Sequence, residues 1–282
     1  VVQPYLNGDD LNSSPDQSPS RYVINFRNWP LSKAQTYVAP FQIIKERVYP
    51  ERMESEENRK VYQKIWWQFW RPRAELYETI TPLERVLVVG QTSKYHNFIF
   101  VLNGIVYDQK LIIFPTECYG QFACLQSAFH IQWIFIRGST LKRDPVYTPS
   151  DCYDPFPFPN IDEQLKSTGK MLHEHRRQLM LARQEGLTDT YNRFHDPAET
   201  ASDIARLRAL HVEMDHAVAA AYGWSDLALD HAFHETAQGL RYTISESARR
   251  EVLARLLALN HARHAEEVAA GLHEKGNARK NA

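Results

Sequence analysis

Residues 59–73 read Arg59-Lys60-Val61-Tyr62-Gln63-Lys64-Ile65-Trp66-Trp67-Gln68-Phe69-Trp70-Arg71-Pro72-Arg73, five cations set among aromatic rings. Arg59, Lys60 and Lys64 can hold phosphates while the rings stack on sugars or bases. The plainer alternative is a helix whose tryptophans are core and whose cations are solvated. A second polar run, Gln91-Thr92-Ser93-Lys94-Tyr95-His96-Asn97, joins two apolar stretches. Gln91 and Asn97 can pair bidentately with adenine, and Lys94 and His96 suit guanine or phosphate, with Ser93 and Tyr95 beside them. A simple solvated loop stays open as the other reading. In the third run, Arg137-Gly138-Ser139-Thr140-Leu141-Lys142-Arg143, the glycine frees the backbone. Arg137, Ser139, Lys142 and Arg143 suit phosphate contact.

Catalytic constellations are missing by comparison. The sequence holds no Gly-rich phosphate loop, no GxSxG elbow and no HExxH, so no catalytic residue is expected. Asp108-Gln109-Lys110 resembles half of a nuclease centre but has no evident acidic partner. Ten of the twelve histidines follow residue 160. Glu213 and His216 form an ExxH, yet a di-iron bundle needs two such pairs and two more glutamates. His231/His234 and His261/His264 have i, i+3 spacing, but with no supporting pattern they read as surface histidines, and no metal is expected.

Elements must position these runs. Residues 22–26 are β-branched and aromatic, and residues 85–89, 96–102, 105–107 and 111–114 read as further strands. Asn103-Gly104 predicts a tight type I′ hairpin turn. Short helices are expected over 31–37, 41–48 and 56–69, and a long aromatic helix over 119–135. The seam Tyr147-Thr148-Pro149-Ser150-Asp151-Cys152-Tyr153-Asp154-Pro155-Phe156-Pro157-Phe158-Pro159 carries four prolines in eleven residues. It is expected to run extended, anchored by Tyr153, Phe156 and Phe158. Beyond it, helical periodicity covers 161–184 with Gly186 as its stop. A second helix should start at Asp196 as N-cap with Glu199 at the capping-box position, and a third at Ser245. Polarity predicts fraying from residue 266 onward.

The fold class expected is α+β: a recognition domain with a small antiparallel sheet over 1–146, a connector over 147–160 and an all-α region over 161–282. No apolar run approaches the ~18 residues of a membrane span. Cys118, Cys124 and Cys152 are odd in number and lack CxxC spacing, so free thiols in a reducing cytoplasm are expected. Formal net charge is -1, so any nucleic-acid role needs a local basic face. Val1 in place of methionine reads as the start of a fragment.

Several strings resemble the C-terminal portion of bacterial adenine-specific DNA methyltransferases of phage-defence systems (the BREX and DISARM type) and of related type IIG restriction–modification enzymes. They include Pro4-Tyr5-Leu6-Asn7-Gly8-Asp9-Asp10-Leu11-Asn12-Ser13-Ser14-Pro15, Val23-Ile24-Asn25-Phe26 with Trp29-Pro30, Trp66-Trp67-Gln68-Phe69 and the proline seam. Later ones are Gly186-Leu187-Thr188, Met214-Asp215 and Ala220-Ala221-Tyr222-Gly223-Trp224. The resemblance implies a target-recognition domain followed by a helical region. It also implies double-stranded DNA, a methyltransferase domain of the same parent protein and other defence-system subunits as partners. That family binds S-adenosylmethionine on a Rossmann-like sheet and holds a flipped adenine with Asn-Pro-Pro-Tyr. Neither the motif nor a cofactor loop occurs here, so the cofactor belongs to a catalytic half outside this chain. An interaction scaffold without direct DNA reading is the alternative.

Overall fold

Asn7 caps the first helix through its side chain, which accepts from Asp10 N, and so ends a strand that organises the N-terminal layer. The computed structural model describes residues 1–54, 59–141 and 144–272. Strand β1 (Val2–Leu6) leads into α1 (Gly8–Ser13) and β2 (Arg21–Ile24), which pairs antiparallel with β1. Among the described residues five short helices follow: α2 (Leu31–Gln35), α3 (Val38–Arg47), α4 (Tyr49–Glu54), α5 (Arg59–Ile65) and α6 (Ala74–Ile80). Next come β3 (Arg85–Gly90), β4 (Ile99–Leu102), β5 (Val106–Tyr107) and β6 (Leu111–Phe114). Strand β3 is the centre of an antiparallel sheet of order β4-β3-β6. Its Val86, Leu87, Val88 and Val89 are all fully buried, the continuous apolar run expected of a strand covered on both faces.

The hairpin expected at Asn103-Gly104 does not form. Gly104 alone of the pair has positive φ, at 90°. Asn103 instead donates to the carbonyls of Ile80 and Leu83, at 2.6 and 3.0 Å, which ties the turn to the end of α6. The chain is thereby directed away from β4, and β5 joins β1 in parallel. The expected long helix is also two, α7 (Tyr119–Gln126) and α8 (Ala128–Arg137). Ser127 breaks it by donating to the Cys124 carbonyl and accepting from His130 N as the cap of α8.

After α8 come a short antiparallel pair, β7 (Ser139–Leu141) and β8 (Asp144–Val146), and the proline seam. The seam is not extended throughout, because Pro149–Tyr153 makes a π turn closed by Asp154 N on the Pro149 carbonyl. Proline is tolerated there because the first residues of a turn need no intrahelical N–H partner. Phe156 is buried with its ring centroid 4.4 Å from that of His130, and Asn260 donates to the Pro155 carbonyl. The seam is thus held from both sides.

The remainder is mainly helical: α9 (Glu163–Arg183), α10 (Leu187–Phe194), α11 (Ser202–Ala221) and α12 (Glu246–Ala269), with a hairpin of β9 (Ala232–Thr236) and β10 (Gly239–Thr243). Helix α9 ends at Gln184 in the left-handed region, and Gly186 starts α10 instead of stopping α9. Asp196 caps a turn through Ala198 N, and α11 begins five residues later than expected, with Ala201 as its N-cap. Ser245 caps α12 as expected, and that helix stays regular through Ala269; residues 273–282 lie outside the described residues. The observed architecture is a mixed α/β first part followed by a predominantly helical part. A single apolar cluster runs from Leu6 to Leu256 through both, and a small separate one centres on Phe26, Ala34 and Ile44. Among the described residues no helix is long and apolar enough to cross a membrane.

Candidate nucleic-acid interface

The satellite built by α2–α5 is held by aromatic rings. Trp66 and Trp67 are half-buried against its cluster, and Trp67 Nε1 and Gln68 Nε2 both donate to the Trp29 carbonyl, at 2.8 and 2.9 Å. Two of the tryptophans are therefore structural, the plainer reading of that run. Phe69 and Trp70 stay 38% and 40% exposed beside exposed Lys60, Lys64 and Arg71. Arg59 opens α5, and Glu56 to Asn58, the expected beginning of that helix, lie outside the described residues. Between residues 25 and 73 the sequence carries ten Lys and Arg against five Glu and no Asp. The near-neutral chain thus has a concentrated positive region, the kind of local field that attracts a polyanion.

Residues 91–97 are placed differently from a free loop. Gln91 continues the backbone ladder, donating to the Lys110 carbonyl and accepting from Tyr147 N. Ser93 donates to the Tyr95 carbonyl at 2.6 Å. Lys94 is exposed, and its Nζ and the Tyr95 hydroxyl both reach Asn192 Oδ1 on α10, at 2.8 and 3.1 Å. His96 and Asn97 are each 5% exposed, which withdraws them from the base-reading role expected of them. The His96 ring lies 3.2 Å from the Pro145 carbonyl, and Asn97 Oδ1 accepts from Gln126. Asn97 belongs to a buried chain in which Gln126 Oε1 accepts from Phe98 N and from Arg176 Nη1. Arg176, fully buried, also donates to the Phe98 carbonyl and, at 3.2 Å, to the Tyr191 oxygen. That leaves the Tyr191 proton for His211 Nε2, 2.9 Å away. His211 is kept neutral by desolvation, its pKa well below the ordinary value.

In the third run Arg137 and Ser139 are exposed, while Lys142 and Arg143 lie outside the described residues. Gly138 is needed for closeness, not freedom: its φ is an ordinary -73°, but a Cβ would sit 2.7 Å from the Ile134 carbonyl oxygen. Asp108 accepts from Tyr5 and, at 2.8 Å, from Lys110 N, so it closes a turn.

Between residues 94–97 and α8 on one side and α10, α11 and the β9–β10 hairpin on the other lies a cleft of about 640 Å³. Asp215 stands in its wall. One carboxylate oxygen accepts from Ala128 N at the start of α8, and the other meets His231 Nε2 at 2.8 Å. The His231 side chain is only 5% exposed, so it is not the surface histidine the spacing suggested. His195 also lines the cleft, where it accepts from Tyr242 N, and burial lowers its pKa to about 3. Glu213 pairs with Arg206 and His234 with the Asp230 carbonyl, so neither spacing assembles a ligand set. Asp215 stood in a string of the resemblance and His231 in a histidine pair, but their pairing with each other and the Arg176 chain had no signal in the sequence.

Residues 2–160 match the family described as "MmeI, target recognition domain". The chain belongs to that family. Among solved structures, that of the Type IIL restriction-modification enzyme MmeI in complex with DNA superposes with a TM-score of 0.60 at 18% identity. The match covers 94% of this chain and 31% of that one, so this chain spans less than a third of that enzyme's length. No curated protein matches.

Proposed function

We propose that this chain is the DNA target-recognition part of an adenine-specific, S-adenosylmethionine-dependent DNA methyltransferase in a bacterial restriction–modification or phage-defence system. Family membership supports target recognition, and the solved relative was captured with DNA. The observation that carries the reading here is the concentration of cations around α5, with Lys60, Lys64 and Arg71 exposed beside Phe69 and Trp70. In this proposal Arg59, Lys60, Lys64 and Arg137 set register on phosphates, with Lys142 and Arg143 in the same role. Lys94, with Gln91, Ser93 and Tyr95, is the remaining candidate for base edges. The helical part braces the recognition part against the catalytic half that binds the cofactor.

Fluorescence anisotropy with duplex oligonucleotides at several salt concentrations tests this. Binding should weaken steeply with salt, and the double variant Lys60→Glu/Lys64→Glu should weaken it for every sequence while reducing the log–log salt slope by about 2. A scaffold without DNA contact shows no association at low ionic strength, and that result would end the proposal.

A further inference from the structure

The cleft between the recognition part and the hairpin is built like a ligand site, although among the described residues none of the proposed phosphate contacts lines it. Its volume, about 640 Å³, falls in the range of small-molecule sites. Its walls are rings: Tyr95, Phe135, Phe194, His195 and Tyr242. Flat walls of this kind favour a planar heterocycle, because stacking tolerates any aromatic face.

The depth of the cleft is polar and holds one carboxylate. Gln132 supplies an amide and Gln126 the one N–H left after its bond to Asn97, His211 and His195 are kept neutral by burial, and the Asp215 carboxylate is already satisfied by Ala128 N and His231. Such a floor suits a neutral edge, because its one carboxylate is already engaged by groups of the protein. Exposed Lys94, Glu235 and Glu246 mark the mouth together with half-buried Arg241 and Arg249, and there the balance changes. Lys94, Arg241 and Arg249 stand against Glu235 and Glu246, and Glu246 is already paired with Arg250. Lys94 uses one of its donors on Asn192, Arg241 one on the Leu240 carbonyl and Arg249 one on the Glu235 carbonyl. Each keeps N–H groups for an anion.

We infer that this cleft binds a nucleotide, with the base between the aromatic walls above the amide floor and the phosphate at the Lys94–Arg241–Arg249 mouth. The nucleotide can be free or extruded from a duplex, and the chemistry recognised is the same. The site is separate from the cationic satellite, but it shares Lys94 and Tyr95 with the proposed base-edge contacts, so the test below varies Gln132 and Arg241 instead.

Isothermal titration calorimetry of the full chain with the four deoxynucleoside 5′-monophosphates, their nucleosides and inorganic phosphate tests the inference. At least one monophosphate should bind with a dissociation constant on the order of 10–100 μM. Its nucleoside should bind about tenfold more weakly, and phosphate alone should give no heat. Gln132→Trp, which fills the cleft, should abolish binding. Arg241→Gln should weaken the monophosphate about tenfold and leave the nucleoside unchanged, a split that misfolding does not produce. Absence of heat up to millimolar monophosphate, or equal binding by Gln132→Trp, would overturn the site. A duplex carrying 2-aminopurine distinguishes the sources: brightening that Gln132→Trp removes assigns the extruded form, and a silent duplex with monophosphate binding intact assigns the free form. Duplex anisotropy on the same samples separates failure here from failure of DNA recognition.

Discussion

Arg176 places a guanidinium at zero exposure, and among the described residues it makes no ion pair. Its charge is met by the Phe98 carbonyl, Gln126 and Tyr191, so one side chain of α9 fixes the edge of β4, α7 and α10 together. Removing it leaves the Phe98 carbonyl without its side-chain donor and takes one donor each from Gln126 and Tyr191. Arg176→Ala should lower stability by roughly 3 kcal/mol in urea unfolding, and Arg176→Lys should not rescue it, because a single ammonium cannot span that fork. Histidines set a second residue-scale behaviour. Burial lowers the pKa of His130, His173 and His195 from 6.5 to about 3, and that of His211 well below 6.5. The unfolded chain takes up these protons near pH 6.5 while the folded chain does not. Stability is therefore full above pH 6.5 and is lost progressively as pH falls from there toward 3. The urea midpoint should drop between pH 7.5 and 5.5, and His173→Phe, which keeps the ring against Phe100 and Phe122, should make that drop shallower. A midpoint independent of pH over this range would count against the neutral assignment.

At the scale of elements, close approach decides how the two parts meet. A Cβ on Gly169 would lie 2.2 Å from the Tyr119 carbonyl oxygen, so α9 reaches α7 only because that position is bare. Gly169→Ala must push the helices apart and should cost about 1–3 kcal/mol, visible as a lowered thermal midpoint. The elements legible in the sequence were those written in one strong pattern. Val86 to Val89 had to be a covered strand, and Ser245 had to open α12. The elements missed were set by single tertiary bonds. Asn103 reads as a hairpin turn by propensity, yet its clamp on Ile80 and Leu83 sends β5 to another sheet. Ser127 looks like an interior residue until its side chain is seen bonding backward and forward. The β9–β10 hairpin was masked by its helical neighbours, although Phe233, Tyr242 and Thr243 carry strand-like chemistry. The same holds at the candidate interface: cation-rich runs were visible, but burial of His96 and Asn97 depends on Pro145 and Gln126, which are distant in sequence.

Across the whole molecule, packing and charge are divided unequally. The main core joins the β-rich and helical parts in one cluster, whereas among the described residues the satellite rests on three buried ones, Phe26, Ala34 and Ile44, with half-buried rings around them. Few buried apolar contacts mean a lower cost of local opening. The satellite also carries the excess positive charge, which favours opening further through self-repulsion when no anion is present. Amides of Val38–Arg47 should therefore exchange with deuterium at least tenfold faster than those of Arg85–Gly90 or Glu163–Arg183 in the free chain. Duplex DNA should slow exchange in Val38–Arg47 and leave the two core elements unchanged, since a ligand of the folded satellite adds its binding free energy to the local opening cost alone. Slowing spread equally over all three segments would place the duplex elsewhere, and no slowing at a DNA concentration that saturates anisotropy would remove the satellite from the interface.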